Sequence, residues 1–242
     1  MGFFAAPRFR HFVPLVAVLA ASTVSATRAN AGSVGFGPEI EFLLMGTTEA
    51  QWSVHDGREW QTYAKMGQAR FGPAPGFTIT KIFNNNIVLA GSAFYRHYTG
   101  EIATPGIYYE KANIEYDEVG GLLRLGFMDF YDLYWTPSPF VGEAPTHPFG
   151  HFRLGVYYSD ISGASDFAEY DPGVTIAPGI EFGTFFLPAG NFYVGLSGFV
   201  DYVISVDPYE GESPPGVQNK ILNNIMFFGF AIHGGVVTEK PR

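Results

Sequence analysis

The fold is decided by residues 173–206, which read GVTIAPGIEFGTFFLPAGNFYVGLSGFVDYVISV. In both halves the even-numbered positions are mostly large and apolar, as at Ile180, Phe182 and Leu196, and most odd-numbered positions are small or polar. Because successive side chains of a β-strand point to opposite faces, each half predicts a strand with one apolar and one polar face. The segment 187–191 is short enough to form a turn that keeps the two strands antiparallel neighbours.

The same period of two recurs along the chain and predicts an all-β, antiparallel fold of about eight strands. Outside the hairpin, the predicted strands cover residues 34–45, 76–83, 87–98, 116–128, 151–159 and 220–234. A polar loop containing Trp52 and Trp60 is expected from residue 46 to about residue 75, and a second loop over 207–219. The proline-rich segment 129–150 predicts either an irregular connection or an extra hairpin, so ten strands are the alternative to eight.

Composition narrows the classes of partner and of chemistry. The 242 residues carry a formal net charge of -9, which argues against nucleic acid as a partner because phosphate binding needs a basic surface. The chain has no cysteine, which excludes disulfides, cysteine zinc sites and cysteine nucleophiles. With 30 Gly, 24 Phe and 14 Tyr but only 15% charged residues, the composition favours an all-β protein with aromatic surfaces.

The first 31 residues predict a secretory signal peptide. Basic residues precede an apolar run over 12–21, and small residues follow it as far as Ala31, after which cleavage is expected. Ala26 marks a second candidate cleavage site, and an anchor helix is disfavoured because Pro14 interrupts a run that is already short. The chain from 32 to 242 is then expected to form a single domain.

The polar face of the predicted strands carries charges of both signs. They are Glu39, Glu41, Glu181, Asp201, Arg96, Arg124 and Arg153. The core of a soluble β-sandwich would not collect so many charges, because burying each unpaired ion costs several kcal/mol. The pattern therefore predicts a transmembrane β-barrel with its apolar face in lipid and a paired charge network in its lumen. Since an eight-stranded barrel is just wide enough for side chains to fill, we expect no open pore.

In this pattern the chain resembles the small bacterial outer-membrane β-barrels, the eight-stranded OmpA/OmpX/OmpW type. The likeness is carried by the predicted signal peptide and by strands such as FRLGVYY at 152–158. It implies a Gram-negative outer-membrane location, contact with the bilayer and lipopolysaccharide, and insertion by the outer-membrane assembly machinery. Two features depart from that family. Such barrels often end on an aromatic residue, whereas this chain continues past Ile232 to Arg242, and Pro178 lies in mid-strand.

Three hypotheses for function follow. The first is a non-enzymatic barrel with a structural or adhesive role, or one that passes small apolar molecules. The second is an enzyme that modifies lipid A. Some outer-membrane lipid A deacylases use a His and a Ser two residues apart on a strand, and His97 and Thr99 match this loosely, with Thr in place of Ser. The third is a secreted soluble β-sandwich or ligand-binding barrel.

No cofactor and no metal site are predicted. No spacing of His, Asp and Glu along the chain suggests a set of metal ligands. His233 is interpreted as a satisfied residue of the lumen wall. The adjacent inward pair Glu39 and Glu41 is interpreted as part of a salt-bridge network with the lumen arginines rather than as a cation site.

Overall fold

The computed structural model describes residues 32–55, 60–83, 86–103, 111–128, 146–162, 173–186, 191–206, 209–212 and 218–238. The predicted signal peptide, residues 1–31, and most of the proline-rich segment, residues 129–145, lie outside these ranges. All regular structure within the ranges is β-strand. Across the same ranges, no helix has the length and apolar character needed to cross a bilayer.

The described chain forms ten strands in one antiparallel sheet. They are β1 (Gly32–His55), β2 (Trp60–Phe71), β3 (Pro73–Phe83), β4 (Ile87–Ala103), β5 (Lys111–Met128), β6 (Thr146–Ser162), β7 (Gly173–Phe186), β8 (Phe192–Ser205), β9 (Tyr209–Glu212) and β10 (Gln218–Val237). The sheet order is β2-β1-β3-β4-β5-β6-β7-β8-β10-β9, and β1 also pairs with β10. This last pairing closes the sheet into a barrel.

The ten strands occupy eight positions around the barrel. Both β2 and β3 pair with β1 on one side and β4 on the other, and Gly72 separates them, so they are two parts of one barrel strand. In the same way, β10 pairs with β8 along most of its length and with β9 near its start, so β8 and β9 occupy one position in the barrel. The predicted eight-stranded antiparallel barrel is therefore confirmed. A sandwich is excluded because one sheet closes on itself.

The prediction of two long loops, over residues 46 to about 75 and 207–219, was wrong. The expected loop from residue 46 to about 75 contains the second half of β1 and all of β2. The expected loop over 207–219 contains β9 and the start of β10. These segments are held by ladders to β1 and β10. Sequence periodicity missed them because it detects a strand by its apolar face, and these segments lack a regular one.

Two prolines inside strands, Pro178 and Pro38, lie where the pairing with one neighbouring strand is interrupted. The pairing of β7 with β8 passes from Ile176 to Gly179 and skips Pro178. The pairing of β1 with β10 likewise passes from Phe36 to Glu39 and skips Pro38. Proline has no N–H to donate, so a gap in the ladder is where a strand tolerates it.

The two faces of the strands separate as the sequence indicates. On β7 and β6 the outward side chains of Phe182 and Phe152 are 64% and 74% exposed. The inward carboxylate of Glu181 on β7 is fully buried. Lys81 is an exception: continued alternation along the predicted strand 76–83 would put it on the apolar outer face with Phe77, and that assignment is wrong because Lys81 is buried. Because both of its neighbours on β3 are buried too, the alternation of the strand has already ended before the turn.

The two ends of the barrel differ. The short-turn end carries the turns that join β3 to β4 and β7 to β8, as well as the start of β1 and the end of β10. At the first of these turns Asn86 adopts a positive φ of 65° and donates its N–H to the Phe83 carbonyl. Asparagine tolerates this conformation, as the predicted turn requires. The opposite, long-strand end carries the distal halves of β1 and β10, together with β2 and β9.

The interior is layered along the barrel axis. An apolar cluster lies at the short-turn end and consists of Ile82, Val88, Met128, Phe149, Phe185, Tyr193 and Val237. Next to this apolar cluster lies a layer of charged side chains. Aromatic residues such as Tyr157 and Phe199 pack against the arginines of that layer.

Candidate functional site

All seven charged residues predicted for the lumen lie inside the barrel. Glu39, Glu41, Arg96, Arg124, Arg153, Glu181 and Asp201 are each at most 2% exposed. They project from six strands, β1, β4, β5, β6, β7 and β8. We call these seven residues the lumen charge network. Each occupies an inward position of its strand, so the two-residue period of the sequence brings them together.

Arg124 is the centre of one half of the network. Its Nε donates to Glu181 Oε2 at 2.7 Å, and its Nη2 donates to Glu39 Oε1. Its Nη1 donates to Ser92 Oγ at 2.5 Å. A single guanidinium therefore links β5 to carboxylates on β1 and β7, which a planar group with several fixed donors can do.

The other half of the network joins two arginines to two carboxylates. Arg96 Nη2 donates to Glu41 Oε2 at 2.7 Å, and Arg153 Nη2 donates to the other oxygen of Glu41. Arg153 Nη2 also donates to Asp201 Oδ2 at 3.0 Å. These contacts cross the lumen between strands that are not neighbours in the sheet.

Aromatic rings support the two arginines. The Arg96 guanidinium lies 4.2 Å from the ring centre of Tyr157, and that of Arg153 lies 4.0 Å from Phe199. A cation over an aromatic face is attracted by the ring quadrupole, and more strongly where water is excluded. The rings also fix the planes of the guanidinium groups toward Glu41 and Asp201.

Sequence reasoning missed a fifth buried carboxylate. Glu118 is fully buried on β5, and Thr175 Oγ1 donates to its Oε1 at 3.5 Å. Glu118 is six residues from Arg124 on the same strand and therefore in phase with it, which is a signal that the sequence already held.

His233 contributes more than was expected of a lumen-wall residue. Its Nδ1 lies 3.3 Å from Glu39 Oε1, and its Nε2 lies 3.1 Å from Glu181 Oε1. Donor atoms of these three residues all lie within 4.8 Å of one another, so the set could hold a metal ion. No metal site was predicted because the three residues come from β1, β7 and β10, far apart in the sequence.

The candidate catalytic residue His97 lies on the outside of the barrel. Its Nδ1 is 3.0 Å from Asp117 Oδ1, and both side chains are nearly half exposed. Tyr95 also donates its hydroxyl to Asp117 Oδ1, at 2.5 Å. Thr99 follows His97 on the same face of β4 and is partly exposed. His97 therefore has no part in the lumen charge network.

The distribution of side chains inverts that of a soluble protein. Charged groups are buried in the lumen, while large apolar side chains point outward on every barrel strand, with exposures of up to 74%. A closed barrel leaves no sheet edge unpaired, as a bilayer requires of any strand structure that spans it. An apolar outer band around a polar interior is the arrangement of outer-membrane barrels. Fold and interior together define an eight-stranded transmembrane β-barrel of the bacterial outer-membrane type.

No protein-family model and no curated protein matches the chain. Among solved structures it is similar to the outer membrane protein OprG from Pseudomonas aeruginosa, at 14% identity and a TM-score of 0.47, over 84% of this chain and 96% of that one. It is also similar to outer membrane protein AlkL in DMPC lipid bilayers, at 12% identity and a TM-score of 0.41, over 88% and 92%. The attachment invasion locus protein Ail of Yersinia pestis matches at 14% identity and a TM-score of 0.32, over 83% and 98%.

Proposed function

We propose that this barrel is a non-enzymatic outer-membrane anchor that displays an extended β-sheet at the cell surface for adhesion. The observation that carries the proposal is the length of the strands at the long-strand end. A tilted strand needs about 9–11 residues to cross a bilayer. β1 has 24 residues and β10 has 20.

These lengths support the proposal that part of the sheet lies outside the membrane. At about 3.3 Å per residue, β1 is roughly 80 Å long. At a tilt of about 40° it covers roughly 60 Å of the barrel axis, against an apolar band about 25 Å tall. Bacterial barrels carry short turns on the periplasmic side and long connections outside. The paired ends of β1, β2, β9 and β10 therefore project from the cell.

The lumen charge network supports an anchor rather than a channel. Ion pairs from β1, β4, β5, β6, β7 and β8 cross the lumen, and the apolar cluster lies next to them at the short-turn end. We propose that the network closes the lumen and ties opposite walls of the barrel together. A closed lumen would prevent small apolar molecules from passing through the whole length of the barrel.

A closed lumen has a direct electrical consequence. We expect the protein reconstituted into planar lipid bilayers to show no steady single-channel conductance, because we propose that the charge network closes the lumen. A protein that forms a non-selective pore, reconstituted into the same kind of bilayer, is the positive control. Reproducible open-channel steps from the folded protein would contradict the closed lumen.

The adhesive role can be tested by trimming the projecting sheet while keeping the barrel. Thr47 pairs with Gln68, and Ile204 pairs with Asn224, so Asn-Gly turns can join each pair and replace the residues between. Gram-negative cells displaying the full chain should adhere to immobilised matrix glycoprotein, and cells displaying the trimmed barrel should not. Equal adhesion of both cell types, at equal surface levels, would contradict the proposal.

We also propose how the chain reaches its place. Residues 1–31 would be removed as a signal peptide, and the assembly machinery of the outer membrane would insert the remaining chain. The outward apolar band would then contact the bilayer, with lipopolysaccharide on the outer side. The side chains of Phe152, Phe182 and Leu196 support this placement, since they are 74%, 64% and 52% exposed within the described part of the chain.

A second candidate function, hydrolysis of a lipid acyl ester, is favoured by one observation. Asp117 holds His97 at Nδ1, which leaves Nε2 to act as a base toward the hydroxyl of Thr99 or a water molecule. Such an enzyme would release fatty acid from lipid A in mixed micelles, and His97→Ala would abolish the release. Absence of any release by the folded wild-type barrel would exclude this function.

A further inference from the structure

Four side chains converge at the Arg124 side of the lumen as two cross-strand pairs. Glu39 on β1 pairs in register with His233 on β10, and Glu181 on β7 pairs in register with His151 on β6. All four residues are at least 94% buried. Ligand atoms of Glu39, Glu181 and His233 lie within 4.8 Å of one another, and Nδ1 of His151 lies 3.9 Å from Glu181 Oε2. Imidazoles and carboxylates are ligands that divalent transition metals bind.

The distances suit a metal ion. Only one nitrogen of His233 can bind a given ion: Nδ1 lies 3.3 Å from Glu39 Oε1, and Nε2 lies 3.1 Å from Glu181 Oε1. One ligand atom from each of Glu39, Glu181 and His233 can be chosen so that all three lie within 4.8 Å of one another. Neighbouring ligand atoms on a four-coordinate ion lie about 3.3–3.6 Å apart when the metal–ligand bonds are about 2.0–2.2 Å. Arg124 also contacts both carboxylates, but each carboxylate oxygen has two lone pairs and can serve a second partner.

The surroundings of His151 are a second observation that points to a bound cation. Neither of its ring nitrogens has a hydrogen-bond partner among the described residues, although the side chain is only 3% exposed. Its Nδ1 faces Glu181 Oε2 at 3.9 Å, too far for a hydrogen bond. Buried polar groups nearly always have a hydrogen-bond partner, so an imidazole that lacks one beside the Glu181 carboxylate indicates a position for a cation.

The charge of the interior favours a cation as well. Among the described residues the lumen buries five carboxylates but only three guanidinium groups. Lys81 is also buried and lies five residues along β3 from Gly76, the residue that pairs with Glu39. Counting the carboxylates against the guanidinium groups alone, with Lys81 and the histidines left out, gives an excess of two negative charges, which one divalent cation would offset.

We propose that Glu39, Glu181, His233 and His151 bind one divalent transition-metal ion of the zinc class inside the barrel. The ion would join β1, β6, β7 and β10 across the lumen. It would act as an internal cross-link of the wall, separate from any surface adhesion.

The test uses the detergent-solubilised full chain, stripped with chelator and loaded with Co²⁺, whose visible absorption reports coordination. We expect about one Co²⁺ per chain to remain after gel filtration, with the strong absorption of a four-coordinate ion. His233→Gln and His151→Gln should each weaken Co²⁺ affinity about tenfold or more. His147→Gln, at another buried histidine of β6 that pairs in register with Phe185 and is not one of the four residues, should bind as wild type does.

Two results would overturn the proposal. The first is that the folded wild-type barrel retains no Co²⁺ after gel filtration. The second is that His147→Gln loses as much Co²⁺ affinity as His233→Gln does. Circular dichroism establishes that each variant is folded before it is loaded. Should His233→Gln fail to fold, the comparison of His151→Gln with His147→Gln decides, since His151 makes no hydrogen bond on which the fold depends.

Discussion

Replacing Arg124 with methionine is expected to lower the free energy of unfolding by about 3–5 kcal/mol. The guanidinium of Arg124 donates to Glu39, Glu181 and Ser92, and all three are buried in the lumen. Without it, the five buried carboxylates of the described lumen would face two guanidinium groups. The measurement is urea unfolding of the barrel in lipid vesicles, followed by tryptophan fluorescence.

Two variants make this measurement specific to buried charge. Glu115→Gln removes an exposed charge from the same strand and should change stability by about 0.5 kcal/mol or less. The double variant Arg124→Met with Glu181→Met removes both members of one ion pair. Its loss should be smaller than the sum of the two single losses, because each single variant leaves an unpaired partner. Additive losses would show that the two side chains are not coupled in the folded barrel.

Replacing Ile180 with arginine is expected to cost about 2–4 kcal/mol, because this places a cation on the lipid face near the bilayer midplane. Ile180 points outward at 42% exposure. It pairs in register with Phe152 and Val200, near the middle of the spanning strands. The same vesicle unfolding assay measures the loss.

Val206→Arg is the matched control for the lipid face. Val206 is also outward and exposed, at 50%, but it follows the end of β8 on the long-strand side. An arginine there can reach water or headgroups, so the expected cost is about 0–1 kcal/mol. Equal costs at the two positions would contradict the assignment of Ile180 to the bilayer interior.

The part of the fold that could be predicted from the sequence is the part that lipid constrains. A spanning strand must turn its apolar side chains to lipid and its polar ones inward, so Phe182 and Glu181 are assigned by alternation alone. The same period placed Arg96 inward on a strand whose phase was ambiguous. The sequences of β2, β9 and the distal half of β1 show no regular alternation of apolar and polar residues, so sequence periodicity does not identify them as strands.

The candidate site was predictable as a set of residues but not as a set of contacts. Alternation shows which side chains enter the lumen, and it also applied to Glu118, which was overlooked. It does not show which ones meet, since that depends on strand register around the closed barrel. The closeness of His233 to Glu181 depends on the pairing of β10 with β8 and of β8 with β7, which no local pattern contains.

The most direct test of a closed transmembrane barrel is gel mobility in SDS, with and without boiling, of the protein folded in detergent. Because the closed sheet satisfies its backbone hydrogen bonds internally, SDS alone should not unfold it. The unboiled sample should therefore migrate differently from the boiled one, with a β-type circular dichroism spectrum. Identical mobility of both samples, together with solubility in buffer without detergent, would contradict a barrel that spans a membrane.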